Sequence, residues 1–147
     1  MSLATCSLAT IRQDIATRIA GVAGMAESPE AWWFLKDRSP VHLHFAVGVP
    51  ESTPISDRQI TEALVAHTIK VLFGYELAGA AGSSRLDSID TMTTKEQAVI
   101  VAVLAAPAVP PQLYQIQQLG PTQRTPGPAS WIWTEITFSA VHYFSLE

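Results

Sequence analysis

From Trp131 to Leu146 apolar and polar side chains alternate almost without a break. Even-numbered positions from Ile132 through Ile136, Phe138 and His142 to Leu146 fall on one face. Odd-numbered positions, among them Trp131, Trp133, Glu135, Val141 and Tyr143, fall on the other. Period-two patterning rich in β-branched and aromatic residues predicts one long terminal strand. At about 3.3 Å per residue it would run roughly 50 Å if straight. A globule of this length is only about 38 Å across. The strand is therefore expected to bend or to overrun its own domain.

Other segments show their own periods. Leu8, Ile11, Ile15, Ile19 and Val22 recur at spacings of three and four and predict an N-terminal helix, with Ser7 as N-cap and Gly24 as stop. Ala26 to Pro40 holds two prolines and the run Trp32-Trp33-Phe34, and reads as a loop or short extended segment. Val41 to Val49 alternates strictly and predicts a strand ended by Pro50. Glu51 to Asp57 reads as a polar connector.

Ile60 to Ala66 fits a helical turn or two, whereas from His67 to Leu77 alternation returns. A second strand, antiparallel to the first, is expected there, with a start as early as Leu64. A small-residue loop over Ala78–Arg85 precedes a second helix, roughly Ser88 to Ala105. Ser88 caps it, or Thr93 opens a capping box with Glu96. Met92, Val99 and Val103, with Ile100 and Leu104, form its buried side, and Pro107, Pro110 and Pro111 end it. Leu113 to Leu119 is a third strand. Gly120 to Ala129 is a loop too irregular for a tight hairpin turn. The expectation is one α+β domain over residues 1–147, ordered α-β-β-α-β-β, with two main helices on a mixed or antiparallel four-stranded sheet.

Composition narrows the function. Charged residues make up 15% of the 147, against roughly 25% in an average soluble domain. A surface this lean points to cover by partners or to a large core. A net charge of −4 argues against nucleic-acid binding. The single cysteine, Cys6, makes no internal disulfide, and a reducing compartment follows. No signal peptide and no run of about 20 apolar residues is present, so a soluble protein made in the cytoplasm, with no membrane contact, is expected.

Reactive constellations are sparse. His42 and His44 have an acceptable metal-ligand spacing, but no cysteine pair or nearby carboxylate completes a site. His67 and His142 lie on faces full of Ile, Val and Phe, where a core or interface histidine satisfied by one hydrogen bond is the simpler reading. Asp87 and Asp90 suit a helix dipole. No nucleophile elbow or phosphate loop occurs. The expectation is no catalytic residue, no cofactor and no metal. Trp131, Trp133, Glu135 and Tyr143 share a strand face and are the candidate subunit interface, since Trp and Tyr are enriched at such contacts.

The element order, with Val41–Ser52, Val65–Leu77, Ser88–Asp90 followed by Glu96–Val99, and Thr137–Leu146, resembles that of tail terminator (tail completion) proteins of long-tailed phages and prophages. The resemblance covers nearly the whole chain and rests on apolar spacing, with no catalytic signature. It implies a non-enzymatic virion protein in the tail or neck, assembled in the host cytoplasm. Such proteins form a ring, commonly a hexamer, that caps the head-proximal end of the tail tube and offers a surface for the head–tail connector. DNA passes through the channel without specific binding. A connector or adaptor of the neck is the alternative, and a small histidine-using metal-binding or enzymatic domain a third.

Overall fold

The structure, a computed structural model, describes residues 7–28, 42–54, 62–77, 83–105, 114–127 and 130–145. The described elements are helix α1 (Leu8–Ala20), strands β1 (Ala26–Glu27), β2 (His44–Pro54) and β3 (Glu62–Glu76), helix α2 (Ser83–Leu104), and strands β4 (Gln115–Gln118), β5 (Gln123–Pro126) and β6 (Trp131–Ser145). The fold is α+β, with two helices and a mixed six-stranded sheet ordered β1-β2-β3-β6-β4, in which β5 also pairs with β6. The four-strand expectation is corrected by β1, which runs parallel to β2, and by β5, which lies inside the supposed 120–129 loop.

The spine of the sheet is the antiparallel ribbon β3–β6. Fifteen pairs run from Glu62↔Ser145 to Glu76↔Trp131 with no shift of register. Both arms are roughly 50 Å long at about 3.3 Å per residue. No bulge interrupts their pairing, so the long terminal strand is matched by an equally long partner. The strand β3 begins at Glu62, two residues before the earliest start expected, so Glu62–Ala66 is strand and not a helical turn; Ile60 and Thr61 lie outside the described residues.

Over the described side chains of this ribbon, every second residue points into the core. Ile69, Val71, Phe73, Ile136, Phe138 and Ala140 are buried in one cluster with Ile11, Ile15 and Ile19 of α1 and Met92, Val99 and Val103 of α2. Both helices thus lie on one face. On the other face, Thr68, Lys70 and Leu72 and the odd residues from Trp131 to Val141 are half-exposed, as suits an antiparallel sheet covered on one side.

Both edges are broken. On β2, Gly48 pairs with Lys70 and Glu51 with Thr68, so Val49 and Pro50 together oppose Ile69. Pro50 therefore does not end the strand. It sits in a β-bulge, where its missing N–H costs no regular ladder bond, and the expected connector from Glu51 is strand as far as Pro54. At the opposite edge, β4 and β5 act as one interrupted strand. Gln118 pairs with Phe138 and Gln123 with Glu135, leaving residues 119–122 opposite residues 136–137. Gly120 turns this bulge with φ 74°, and nothing lies within 4 Å of where its Cβ would stand. Gly120→Ala should therefore cost about 1 kcal/mol, purely as left-handed backbone strain. Chemical denaturation would read it, and a loss above about 2 kcal/mol would mean a packing role instead.

The helix ends follow local chemistry. Ser7 caps α1, its hydroxyl accepting from the Thr10 N–H at 3.2 Å. The helix stops at Gly21, and Gly24 (φ 83°) turns the following loop. The α2 start at Ser83 corrects two expectations. Ser88 and Glu96 are interior and buried, not caps. Asp87 and Asp90 lie past the first turn, where the dipole effect has faded. Thr91 and Thr94 donate their hydroxyls to the carbonyls of Asp87 and Asp90, both at 2.9 Å, which satisfies them within the helix.

Arg18 supplies the α2 C-terminus. Its Nη1 donates to the carbonyls of Val103, at 3.2 Å, and of Ala105. Those are orphan acceptors at a helix end. Asp14 holds Arg18 Nε at 3.1 Å and accepts from the Tyr114 hydroxyl at 2.5 Å. One cluster thus joins α1, the end of α2 and the entry to β4.

Candidate functional site

Three side-chain groups stand out, and the first is the expected interface. Trp131, Trp133 and Glu135 do share the outer face of β6, opposite Glu76, Gly74 and Leu72 of β3. The indoles stack with centroids 6.4 Å apart and an interplanar angle of 24°. They lie over backbone without side chains: a Cβ on Gly74 would stand 3.2 Å from Trp133 Cζ3, and one on Gly127 would stand 2.9 Å from its Nε1. The two glycines leave room for the indole, so the ring lies along the sheet with part of its surface open. Glu135 pairs with Lys70 across the strands at 3.5 Å. Both are well solvated, and such a pair is worth at most about 1 kcal/mol. Tyr143 is not part of this patch. Its backbone pairs with Leu64 near the other end of the ribbon, roughly 40 Å from Trp131 at strand spacing, and its side chain lies outside the described part. Trp32 and Trp33 also lie outside the described residues.

The second group is Glu96, Arg124 and Thr134. Apolar positions of α2 recur at Met92, Val99 and Val103, and Glu96 falls on the same stripe with 2% of its surface exposed. Its carboxylate accepts from Arg124 Nε at 2.8 and 3.1 Å, from Arg124 Nη2, and from the Thr134 hydroxyl at 3.0 Å. This fork-to-fork pairing, above all its hydrogen bond, raises the Arg124 pKa further above its usual value. Sequence pattern missed the group, because Arg124 lies in the segment read as loop. Register places it: Arg124 pairs with Thr134, and their side chains share the core face.

Beside this triad lies an open depression of about 430 Å³, between Asp90, Thr94 and Gln97 of α2 and Thr122 and Arg124 of the β4–β5 edge. The charge of Arg124 is already matched by Glu96, and no cysteine or histidine lines the space. Its lining carries two carboxylates, Asp90 and Glu96, the second already bonded to Arg124 and Thr134.

The histidines form the third group, and they separate into two kinds. His42 lies in the turn before β2, where its Nδ1 accepts from the Glu76 N–H at 3.0 Å and its ring meets Tyr75 edge-on at 4.6 Å. Leu43 between the histidines has φ 59°. That left-handed residue breaks the extended backbone on which a shared face for His42 and His44 depended. Partial desolvation lowers the His42 pKa, Glu76 opposes the shift, and Lys95 adds to it. By contrast, His67 and His142 are buried and meet, Nε2 to Nε2, at 2.7 Å. The expected hydrogen bond for each core histidine is therefore, at the least, the other one. Among the described residues no three His, Cys, Asp or Glu gather as metal ligands, and no buried side-chain nitrogen or oxygen lacks a hydrogen-bond partner.

No described helix is long and apolar enough to cross a membrane. No family model matches the sequence, and no curated protein matches it.

Proposed function

We propose that this chain is a ring-forming structural subunit of the tail-terminator kind. Copies would close, six to a ring, on the head-proximal end of a phage tail tube, stop further tube growth and present a second face to the head–tail connector. The observation that carries this reading is the outer face of the β3–β6 ribbon: a rigid, uninterrupted platform with no described helix over it and two stacked, half-exposed indoles at one end. Stacked Trp on a preorganised surface is the composition of an interface anchor. A cap also needs a head-to-tail contact that closes on itself. The net charge of −4 suits a channel through which DNA moves without sticking. In this reading the protein acts in the virion neck and performs no reaction.

Native mass measurement, alone and with tube subunits, tests the proposal. A closed ring that binds tube ends is expected; a strict monomer indifferent to tubes overturns it. Deleting the gene separates the neighbouring role: overlong or irregular tails fit a terminator, and finished tails that fail to join heads fit a connector. Trp133→Ala should weaken ring assembly by about 2 kcal/mol, some thirtyfold, and lower the unfolding free energy of the subunit by less. Sedimentation and denaturation on one preparation compare the two, and equal losses would remove Trp133 from the interface.

A further inference from the structure

His67 and His142 face each other diagonally across the central ribbon, His67 opposite Ala140 and His142 opposite Val65. Their exposures are 7% and 1%. The rings meet nearly end to end, 29° from coplanar, with centroids 4.8 Å apart and the Nε2 atoms 2.7 Å apart. A contact that short between two ring nitrogens needs a hydrogen between them. One Nε2 donates and the other offers its lone pair. Two protonated Nε2 atoms would set N–H against N–H with no acceptor. While closed, the pair therefore carries one Nε2 proton and never two.

Among the described residues, no charged side chain shares the pair's face of the β3–β6 ribbon. On the same face the described neighbours are Val65, Ile69, Ala140 and, paired with Ala140 on β4, Ile116. On β2 the backbone partner of His67 is Ser52 and that of Thr68 is Glu51; the side chains of both β2 residues lie outside the described part. Lys70 and Glu135 pair with each other on the outer face. Of the charged groups of α1 and α2, Arg12 pairs with Glu27, Arg18 with Asp14 and Glu96 with Arg124; Lys95 donates to the Ala23 carbonyl and Arg85 to the Ser130 hydroxyl, and Asp87 and Asp90 are exposed.

We propose that the His67–His142 pair is a proton-operated latch on the β3–β6 ribbon, closed while the imidazoles share one Nε2 proton and opened when acid supplies a second. Opening releases the end of the ribbon where Glu62–Val65 pairs with His142–Ser145. The sign follows from proton counting. In the unfolded chain both imidazoles titrate near 6.5. Below that value the unfolded chain binds at least one proton more than the closed latch, so stability falls as pH falls. Burial first, and the neighbouring His142 charge second, hold the His67 pKa below its ordinary value. The latch therefore contributes its full stability above the unfolded value and loses it as pH drops towards the lowered folded one. One proton corresponds to about tenfold in the folding equilibrium per pH unit.

Histidine C2-hydrogen exchange and backbone amide exchange, read by mass spectrometry on the intact protein from pH 8 to pH 5, test this for monomer or ring alike. The His67 imidazole should titrate below 6.5. Amides at residues 62–65 and 142–145 should lose protection on acidification, corrected for intrinsic rates, before those at Ile69 and Phe138. His67 titrating at or above 6.5, or that end of the ribbon staying protected on acidification, overturns the proposal. The double variant His67→Asn with His142→Asn should lower the pH slope of the unfolding equilibrium by about one proton; an unchanged slope also overturns it. Should that variant not fold, the exchange measurements on the unaltered chain decide.

Discussion

Phe138→Ala should remove about 3–5 kcal/mol of stability. Phe138 is fully buried near the middle of β6, paired with Ile69 on one side and Gln118 on the other. It belongs to the single cluster that joins the sheet to both helices. Strands flank it on both sides, so the backbone around the deleted ring has little freedom to collapse. The cavity term adds to the lost transfer energy for that reason. Total stability of a domain is commonly 5–15 kcal/mol, so this one change consumes much of the margin. Denaturant titration should show a lower midpoint with an unchanged slope. Val101→Ala is the control: Val101 is 70% exposed on α2, and its loss should stay within about 0.5 kcal/mol. A Phe138 effect below about 1 kcal/mol would mean that the core lies elsewhere.

Arg124→Ala should cost about 3 kcal/mol, and more than Glu96→Gln. The asymmetry comes from exposure: the Arg124 side chain is 43% exposed and the Glu96 side chain 3%. Removing the arginine leaves a carboxylate inside the fold with only the Thr134 hydroxyl to meet it, and breaking a buried pair in this way costs about 3–5 kcal/mol. The lower end applies because water already reaches the Arg124 side and enters when the guanidinium goes. Glu96→Gln keeps an acceptor for both donors and removes the charge; the remaining arginine is solvated, and a loss of about 1–2 kcal/mol is expected. Denaturation of both variants at pH 7 gives the order. If the glutamine variant were the less stable, the carboxylate would not be the member that depends on its partner.

The parts of the fold that could be read directly are those whose side chains meet one environment per face. Ile132 to His142 alternates because one side of β6 meets the helices. The stripe Ile11, Ile15, Ile19 repeats because α1 lies on that sheet. Ser7 announced the helix start through its own hydroxyl. Gln123–Pro126 gave no such signal. All four residues are exposed, and their strand conformation is imposed by pairing with β6. The first turn of α2 was hidden by small polar residues of modest helix propensity, and Pro50 looked like a stop because a bulge is invisible to alternation. The site groups were legible one residue at a time and not as groups. His67 and His142 lie 75 positions apart and meet only through the register of two strands, which single-strand periodicity does not carry. Arg124 and Glu96 meet for the same kind of reason, one on an edge strand and one on a helix.

The two broken margins of the sheet bear on what the molecule does when crowded. A foreign strand laid along β2 would meet a bulge at Val49–Pro50 and a second proline, Pro54, neither proline offering an N–H. A strand laid along the other margin would lose step at residues 119–122 and find another missing donor at Pro126. Margins of this kind do not template fibrils. A 15-residue strand rich in β-branched residues would otherwise be open to pairing with another chain at high concentration. Here that strand is enclosed between β3 and the β4–β5 margin from Ile132 to Val141. Over that span the longest alternating run has its backbone satisfied on both sides, and it offers a neighbouring molecule only side chains, where contacts are selective and finite.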